Sequence, residues 1–142
     1  MYASRKLKEG DAIVIDLGGR FERYTSDITR MSTIGHPHKD YALVHQIVED
    51  AICAALKAAI PGEIAKNVDK AAREAIENEG FGKYFVHRTG HGLGTEIHEA
   101  PFITSSSETI LEPGMVFSIE PGIYMPGKFG VRLEEIVILH DD

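Results

Sequence analysis

Residues 87–101 read HRTGHGLGTEIHEAP and hold three of the chain's seven histidines, His87, His91 and His98. Three glycines separate these histidines, and two glutamates, Glu96 and Glu99, lie close by. Packing in helices or strands does not account for so many imidazoles beside so much bare backbone. The stretch therefore predicts a chemical site, and the remaining groups of that site must come from other parts of the chain.

The composition is that of one globular domain, with 142 residues, 43% of them hydrophobic. A formal net charge of −7 disfavours nucleic acid as a partner, because phosphates would be repelled. No apolar run approaches the ~18 residues of a membrane span, and the first residues lack the apolar centre of a signal peptide, so we expect no membrane partner and a cytoplasmic location. The single cysteine, Cys53, lies in a helical apolar pattern and is predicted to be a core residue.

Residues 12–19, AIVIDLGG, predict a strand closed by two glycines, and residues 21–34 predict one or two further strands. The short Gly-Gly connection favours a hairpin, which places Asp16 and Asp27 on neighbouring strands. Apolar residues then recur at helical spacing before the histidine-rich stretch, and two more apolar runs follow it. These predict helices over 39–60 and 64–78 and strands over 116–119 and 131–139. The order of strands, helices and strands predicts an α+β fold, with a helix pair covering one side of a mainly antiparallel sheet.

Acidic residues interrupt the apolar strands at four places: Asp16, Asp27, Glu120 and one of the adjacent pair Glu134 and Glu135. A carboxylate removed from water is costly unless it is paired or binds a cation. Each acid alone could be an exposed edge residue or pair with an arginine. Together with a histidine they form a hard ligand set that suits paired divalent ions such as Mn, Co or Zn. Strand alternation alone does not choose between Glu134 and Glu135.

Other catalytic motifs are missing from the sequence. Residues 98–102 read HEAPF, which is not the HExxH pattern of zinc peptidases, because position 102 is phenylalanine. There is no glycine fingerprint for dinucleotides, no phosphate-binding loop and no GxSxG serine motif.

Five segments resemble, in order, the metallopeptidase family with the pita-bread fold, which includes methionine aminopeptidases, aminopeptidase P and prolidase. They are IDLGG, TSDITR, HRTGHGLGTEIHEAP, EPGMVFSIEPGIY and GVRLEEIV, and all of them lie within residues 12–138. The phrases IEPGIY and GVRLEEIV resemble the Xaa-Pro branch of that family, prolidase and aminopeptidase P. The resemblance implies a curved, mainly antiparallel sheet covered by helices, and hydrolysis of the peptide bond that precedes a proline in Xaa-Pro peptides.

The resemblance also implies roles for individual residues. It implies two divalent metal ions, with Mn or Co preferred over Zn, held by five ligands: Asp16, Asp27, His91, Glu120 and Glu134. It selects Glu134 over Glu135, and it implies that Glu120 is in addition the general acid/base. His98 is implied to contact the substrate and stabilise the tetrahedral intermediate, His87 to line the proline-side pocket, and Arg132 to support the ligands and contact the substrate.

The family's catalytic domain has a further upstream block of two helices, a strand and a histidine, and many members have a separate N-terminal domain. Residues 1–142 match none of these parts. We therefore expect a single partial catalytic domain, truncated on its N-terminal side, with impaired activity. We also expect its uncovered apolar face to drive self-association into a homo-oligomer.

Three alternatives stay open. The first is a pita-bread module that binds a peptide or protein without catalysis, and the intact ligand set argues against it. The second is a methionine aminopeptidase or the metal-free creatine hydrolase that shares the fold. The third is a structural α+β domain whose acids are solvated strand ends.

Overall fold

The computed structural model describes residues 5–141. Two long helices, α1 (Tyr41–Ala58) and α2 (Ala65–Asn78), pack against each other, and a short turn with Gly62 at a positive φ joins them. The helices predicted over 39–60 and 64–78 are confirmed, with ends shifted by at most two residues. The buried residues of α1 follow the spacing of a single helix face. They are Val44, Ile47, Val48, Ala51, Ile52 and Ala55.

Cys53 is exposed, so the prediction that it is a core residue is wrong. Each residue of a helix is rotated by about 100° from the one before it. That rotation carries Cys53 off the face on which Ile52 and Ala55 are buried. Among residues 5–141, neither helix combines the length and the apolar character that crossing a bilayer requires.

An antiparallel hairpin precedes the helices and consists of β1 (Ala12–Phe21) and β2 (Tyr24–Thr33). The predicted hairpin is confirmed, but its turn is not at the glycine pair. β1 continues through both glycines, and the chain reverses at Glu22 and Arg23, which have φ values of 47° and 77°. Two consecutive residues with positive φ suit the right-handed twist of a tight hairpin, although Asn-Gly is the usual sequence there. A glutamate and an arginine give no such signal.

Six short strands follow the helices, and all of their pairings are antiparallel. They are β3 (Gly90–Gly92), β4 (Glu99–Ile103), β5 (Val116–Ile119), β6 (Gly122–Tyr124), β7 (Gly130–Arg132) and β8 (Glu135–Ile138). Four of them form a sheet in the order β4-β3-β5-β8, while β6 pairs with β7. The helices pack on these strands, and the core between them contains fully buried Phe117, Ile119, Ile123 and Val131.

The single strand predicted over 131–139 is wrong, because the chain leaves one sheet after Arg132 and enters another at Glu135. Between the two strands, Leu133 and Glu134 are both buried, at 8% and 2% exposure. Leu133 and Glu134 belong to neither strand, so the alternation of a continuous strand does not fix the directions of their side chains. The break turns Glu134 inward and leaves Glu135 at the surface, where it pairs with Arg30.

Candidate metal centre

Three side chains from distant parts of the sequence meet beneath the hairpin. They are Asp27 from β2, His91 from β3 and Glu134 from the link between β7 and β8, and one potential ligand atom of each lies within 4.8 Å of the others. His91 is 2% exposed, and its Nε2 is 3.8 Å from Oδ2 of Asp27. Burial raises the pKa of Asp27, and the nearby charge of Asp16 adds to the effect. This group is the centre of the candidate site.

Glu120 joins the centre from the end of β5. Its Oε1 lies 3.1 Å from Nε2 of His91. Ser118, two residues earlier on the same face of the chain, accepts a hydrogen bond from the His91 backbone N–H (3.0 Å) and donates to Glu120 Oε1 (3.3 Å). Burial raises the pKa of Glu120, but the His91 hydrogen bond and the surrounding cationic groups outweigh it, so the pKa is lowered. The carboxylate is therefore ionised near neutral pH.

The His91 ring is oriented by the backbone. Its Nδ1 lies 3.0 Å from the carbonyl oxygen of Gly92, so we assign the proton to Nδ1 as the donor. Nε2 then faces the carboxylates of Asp27 and Glu120. A lone pair directed at carboxylate oxygens is repelled unless a proton or a cation lies between them. Burial lowers the pKa of His91, but the hydrogen bonds with Glu120 and with the Gly92 carbonyl, together with the charge of Glu120, raise it above its ordinary value. The same orientation is the one that metal-binding histidines adopt.

Glu134 supplies the clearest sign of a missing partner. It is 2% exposed, and its Oε2 accepts a hydrogen bond of 2.9 Å from the hydroxyl of buried Thr29. Its Oε1 is buried and has no hydrogen-bond partner among residues 5–141. Burial, together with nearby Asp27 and Glu120, raises the pKa of Glu134 to about 7. A buried carboxylate oxygen is costly unless it is paired, and a cation would satisfy it. The donor set of this centre therefore fits a divalent metal ion.

Asp16, the remaining predicted ligand, points elsewhere in this structure. Its side chain is 44% exposed and pairs with the guanidinium of Arg132. Arg132 also donates to the hydroxyl of Tyr124 at 3.0 Å, and its Nε lies 3.9 Å from Glu120 Oε2. β1 pairs with β2 so that Asp16 lies directly opposite Thr29, whose hydroxyl contacts Glu134. Asp16 is thus beside the three-residue group but outside it.

The two other histidines of residues 87–101 face an open cleft of about 550 Å³, lined by His87, Arg88, His98, Glu120 and Arg132. His98 is exposed, and its ring stands edge-on to His91 with centroids 4.2 Å apart. His87 Nε2 is 2.9 Å from the hydroxyl of Tyr124. Burial lowers the pKa of His87. Within this arrangement only His91 faces the carboxylates, while His87 and His98 border the cleft.

Three polar residues of the site, Thr29, Ser118 and Tyr124, were not predicted. Thr29 lies two residues after Asp27 in β2, and Ser118 lies two residues before Glu120. Strand alternation puts each of them on the same face as its acid, so a polar residue at that spacing in an apolar strand was a usable signal. Tyr124 gave no such signal.

Comparison with known proteins agrees with this site. Residues 1–141 match the sequence model of metallopeptidase family M24. The chain is 48% identical over 142 residues to the probable dipeptidase PepE of Mycobacterium tuberculosis. This alignment covers 99% of the chain and 38% of PepE. The solved prolidase from Pyrococcus furiosus superposes with a TM-score of 0.95 at 45% identity, covering 99% of this chain and 42% of the other. For the X-Pro aminopeptidase from Thermotoga maritima, the TM-score is 0.91 and the identity 46%, with 94% and 38% covered.

These similarities confirm the predicted α+β fold of the prolidase type and the resemblance to the Xaa-Pro branch. The chain spans about two fifths of the length of the relatives it matches.

Proposed function

The chain belongs to metallopeptidase family M24, and from this membership we propose that its site hydrolyses the peptide bond preceding proline in Xaa-Pro peptides, using divalent metal ions. The observation that carries the proposal is the buried Oε1 of Glu134 beside Asp27 and His91, which has no hydrogen-bond partner in the described part of the chain. A divalent cation would satisfy this oxygen and offset the repulsion among the neighbouring acids. The substrate class is taken from the names of the relatives, which are dipeptidases, prolidases and an X-Pro aminopeptidase.

We assign five ligands to two ions, with Mn or Co preferred and Zn as a further candidate: Asp16, Asp27, His91, Glu120 and Glu134. The charges support the number two, because two divalent cations balance four carboxylates. The grouping of Asp27, His91 and Glu134 supports three of the ligands directly, and the 3.1 Å contact with His91 supports Glu120. Asp16 is assigned on the family resemblance, since its carboxylate pairs with Arg132 here. When bound, the ions would supply an activated water and polarise the scissile carbonyl.

The chain's own residues provide the proton transfer and the substrate contacts. Glu120 lies where the metal centre meets the cleft, and its lowered pKa keeps the carboxylate ready to accept a proton from the attacking water. His98 is exposed beside His91 and can donate a hydrogen bond to the developing oxyanion. His87, held by Tyr124, lines the side of the cleft that we assign to the proline ring. Arg132 joins Asp16 to Tyr124 and supports both groups.

Metal binding and turnover test this proposal separately. Calorimetric titration of the wild type with Mn²⁺ should show saturable binding that Asp27→Asn weakens at least tenfold. Glu135→Gln is the matched control, because this neighbouring acid is half exposed and pairs with Arg30 outside the centre. If the wild type and Asp27→Asn cannot be distinguished, the metal centre is refuted.

Turnover assays with three peptides then separate the candidate activities. We expect cleavage of Gly-Pro or of a longer Xaa-Pro peptide and no cleavage of a Met-Ala peptide. Preference for the dipeptide or for the longer peptide would distinguish a dipeptidase from an aminopeptidase. Cleavage of the Met peptide would favour a methionine aminopeptidase instead. Peptide binding without metal binding would favour the non-catalytic module.

A further inference from the structure

An acid in helix α2 is fully buried although nothing in the proposed reaction uses it. Asp69 has 0% exposure on the helix face that also buries Val68 and Ala72. Arg73, one turn later, donates to both carboxylate oxygens, from Nε to Oδ2 at 2.7 Å and from Nη2 to Oδ1 at 3.1 Å. The backbone N–H and the hydroxyl of Thr89 also donate to Oδ1, at 3.2 Å and 2.8 Å. The helix therefore holds Thr89 through a buried charge.

Arg73 extends the contact along residues 85–89, called here the 85–89 segment. Its Nη2 donates to the carbonyl oxygen of His87 at 2.6 Å, and its Nη1 donates to that of Phe85 at 3.3 Å. The guanidinium lies 4.3 Å from the centre of the Phe85 ring, and that ring meets the His87 ring edge-on. The 85–89 segment has no helix or strand of its own, so these contacts add to its few backbone hydrogen bonds, one of which runs from the Thr89 N–H to the carbonyl oxygen of Ile103 at 3.0 Å.

The 85–89 segment leads directly into the metal centre. The carbonyl oxygen of Thr89 accepts a 2.7 Å hydrogen bond from the backbone N–H of Glu120. Only Gly90 separates Thr89 from His91, and Gly90 lies so close to the Ser118 backbone that no side chain would fit. A shift of Thr89 would therefore move a proposed ligand on β3 and a proposed ligand at the end of β5 together.

We propose that the Asp69–Arg73 ion pair is a positioning element for the metal centre: it fixes the 85–89 segment and thereby sets where His91 and Glu120 stand. The inference rests on the proposed function. A buried ion pair is a poor source of stability, since well-packed apolar residues often serve as well or better. What apolar residues cannot do is hold two carbonyl oxygens, one hydroxyl and one N–H at fixed positions, which this pair does.

Matched variants of Thr89 test the inference with little risk to folding. Thr89→Val has nearly the same shape but loses the hydroxyl donor to Asp69, whereas Thr89→Ser keeps it. Arg73→Lys, which can pair with Asp69 but cannot also reach both carbonyl oxygens, provides a second variant. Val68→Ala is the control for general destabilisation, because Val68 is a fully buried residue of the same helix with no polar contact to the segment.

Two readouts are needed, hydrogen exchange in the metal-free protein and the Mn²⁺ dissociation constant. In Thr89→Val and Arg73→Lys, we expect the amide hydrogens of Thr89 and Glu120 to exchange at least tenfold faster while those of α1 are unchanged. Mn²⁺ should bind about tenfold more weakly, the lower end of the loss seen when partners of ligands are removed. Thr89→Ser should resemble the wild type, and Val68→Ala should accelerate exchange throughout the core without this local excess.

Uniform exchange in Thr89→Val, as in Val68→Ala, would overturn the inference, and so would unchanged Mn²⁺ affinity alongside faster local exchange. If the wild type binds no Mn²⁺, the proposed function fails. Hydrogen exchange then still decides whether the ion pair fixes the 85–89 segment and Glu120, because that measurement is made without metal.

Discussion

Replacing Glu134 with glutamine should remove a large contribution to the pH dependence of stability in the metal-free protein. The carboxyl has an ordinary pKa of 4.5, and burial in the centre raises it to about 7. The difference corresponds to roughly 3 kcal/mol of unfolding free energy, at ~1.4 kcal/mol for each tenfold change in proton affinity. The pKa of Glu134 is higher in the folded state than in the unfolded state. The stability that protonated Glu134 contributes is therefore fully present below about pH 4.5 and is lost as the pH rises through about 7.

Urea unfolding between about pH 5 and pH 8, with EDTA present, measures this difference. The wild type should lose up to roughly 3 kcal/mol more than Glu134→Gln over that interval. Glu135→Gln should follow the wild type, because its half-exposed ion pair with Arg30 is worth ~1 kcal/mol or less. With saturating Mn²⁺ the wild-type trend should reverse, since a cation favours the ionised carboxylate and protons compete with it. Parallel profiles for the wild type and Glu134→Gln in EDTA would refute the buried, uncompensated carboxyl.

The hairpin supports two further predictions. Glu22→Asn combined with Arg23→Gly should raise the unfolding free energy by about 1–2 kcal/mol in urea, because both residues have positive φ that these replacements tolerate better; equal or lower stability would contradict the turn geometry. The outer face of the hairpin exposes Leu17, Phe21 and Tyr24 at 57%, 78% and 67%, so we expect self-association at micromolar concentration in light scattering, weakened by Phe21→Ser. A monomeric wild type would show that this face needs no cover.

The helices could be predicted from the sequence because each buries one apolar face, and the apolar residues of that face recur at helical spacing along the sequence. The hairpin turn could not, because Gly18-Gly19 carries a stronger turn signal than Glu22-Arg23. Gly18 has a different task, since a side chain there would collide with the backbone carbonyl of Ser26 on the neighbouring strand. The short strand β3 could not be predicted either, because a sequence of two glycines and a histidine has no strand preference.

The site was predictable to the extent that acids in apolar strands are costly, a rule that singled out Asp16, Asp27 and Glu120. Strand alternation could not choose between Glu134 and Glu135, and only the family resemblance selected Glu134. The break after β7 that turns Glu134 inward depends on how two separate sheets meet, and no local sequence pattern predicts it. The sequence did not predict residues whose role is to hold the backbone near the ligands by hydrogen bonds. Asp69 and Arg73 have the spacing of an ordinary surface ion pair on a helix. Only the packing of α2 on the 85–89 segment shows that the Asp69 carboxylate of this pair is buried.

The charges of the centre explain how its side chains are arranged and why bound metal should reverse the pH dependence of stability. Within residues 5–141, two basic side chains lie within 4.0 Å of the four carboxylates: Arg132 pairs with Asp16, and the imidazole of His91 contacts Glu120. Glu134 is the most buried of the four, and burial together with the neighbouring carboxylates raises its pKa to about 7, so this acid takes up a proton near neutral pH. Two divalent cations would balance the full negative charge of the four carboxylates. They would displace the proton of Glu134. The ionised Glu134 carboxylate, which destabilises the metal-free fold, would then be the form that binds the metal.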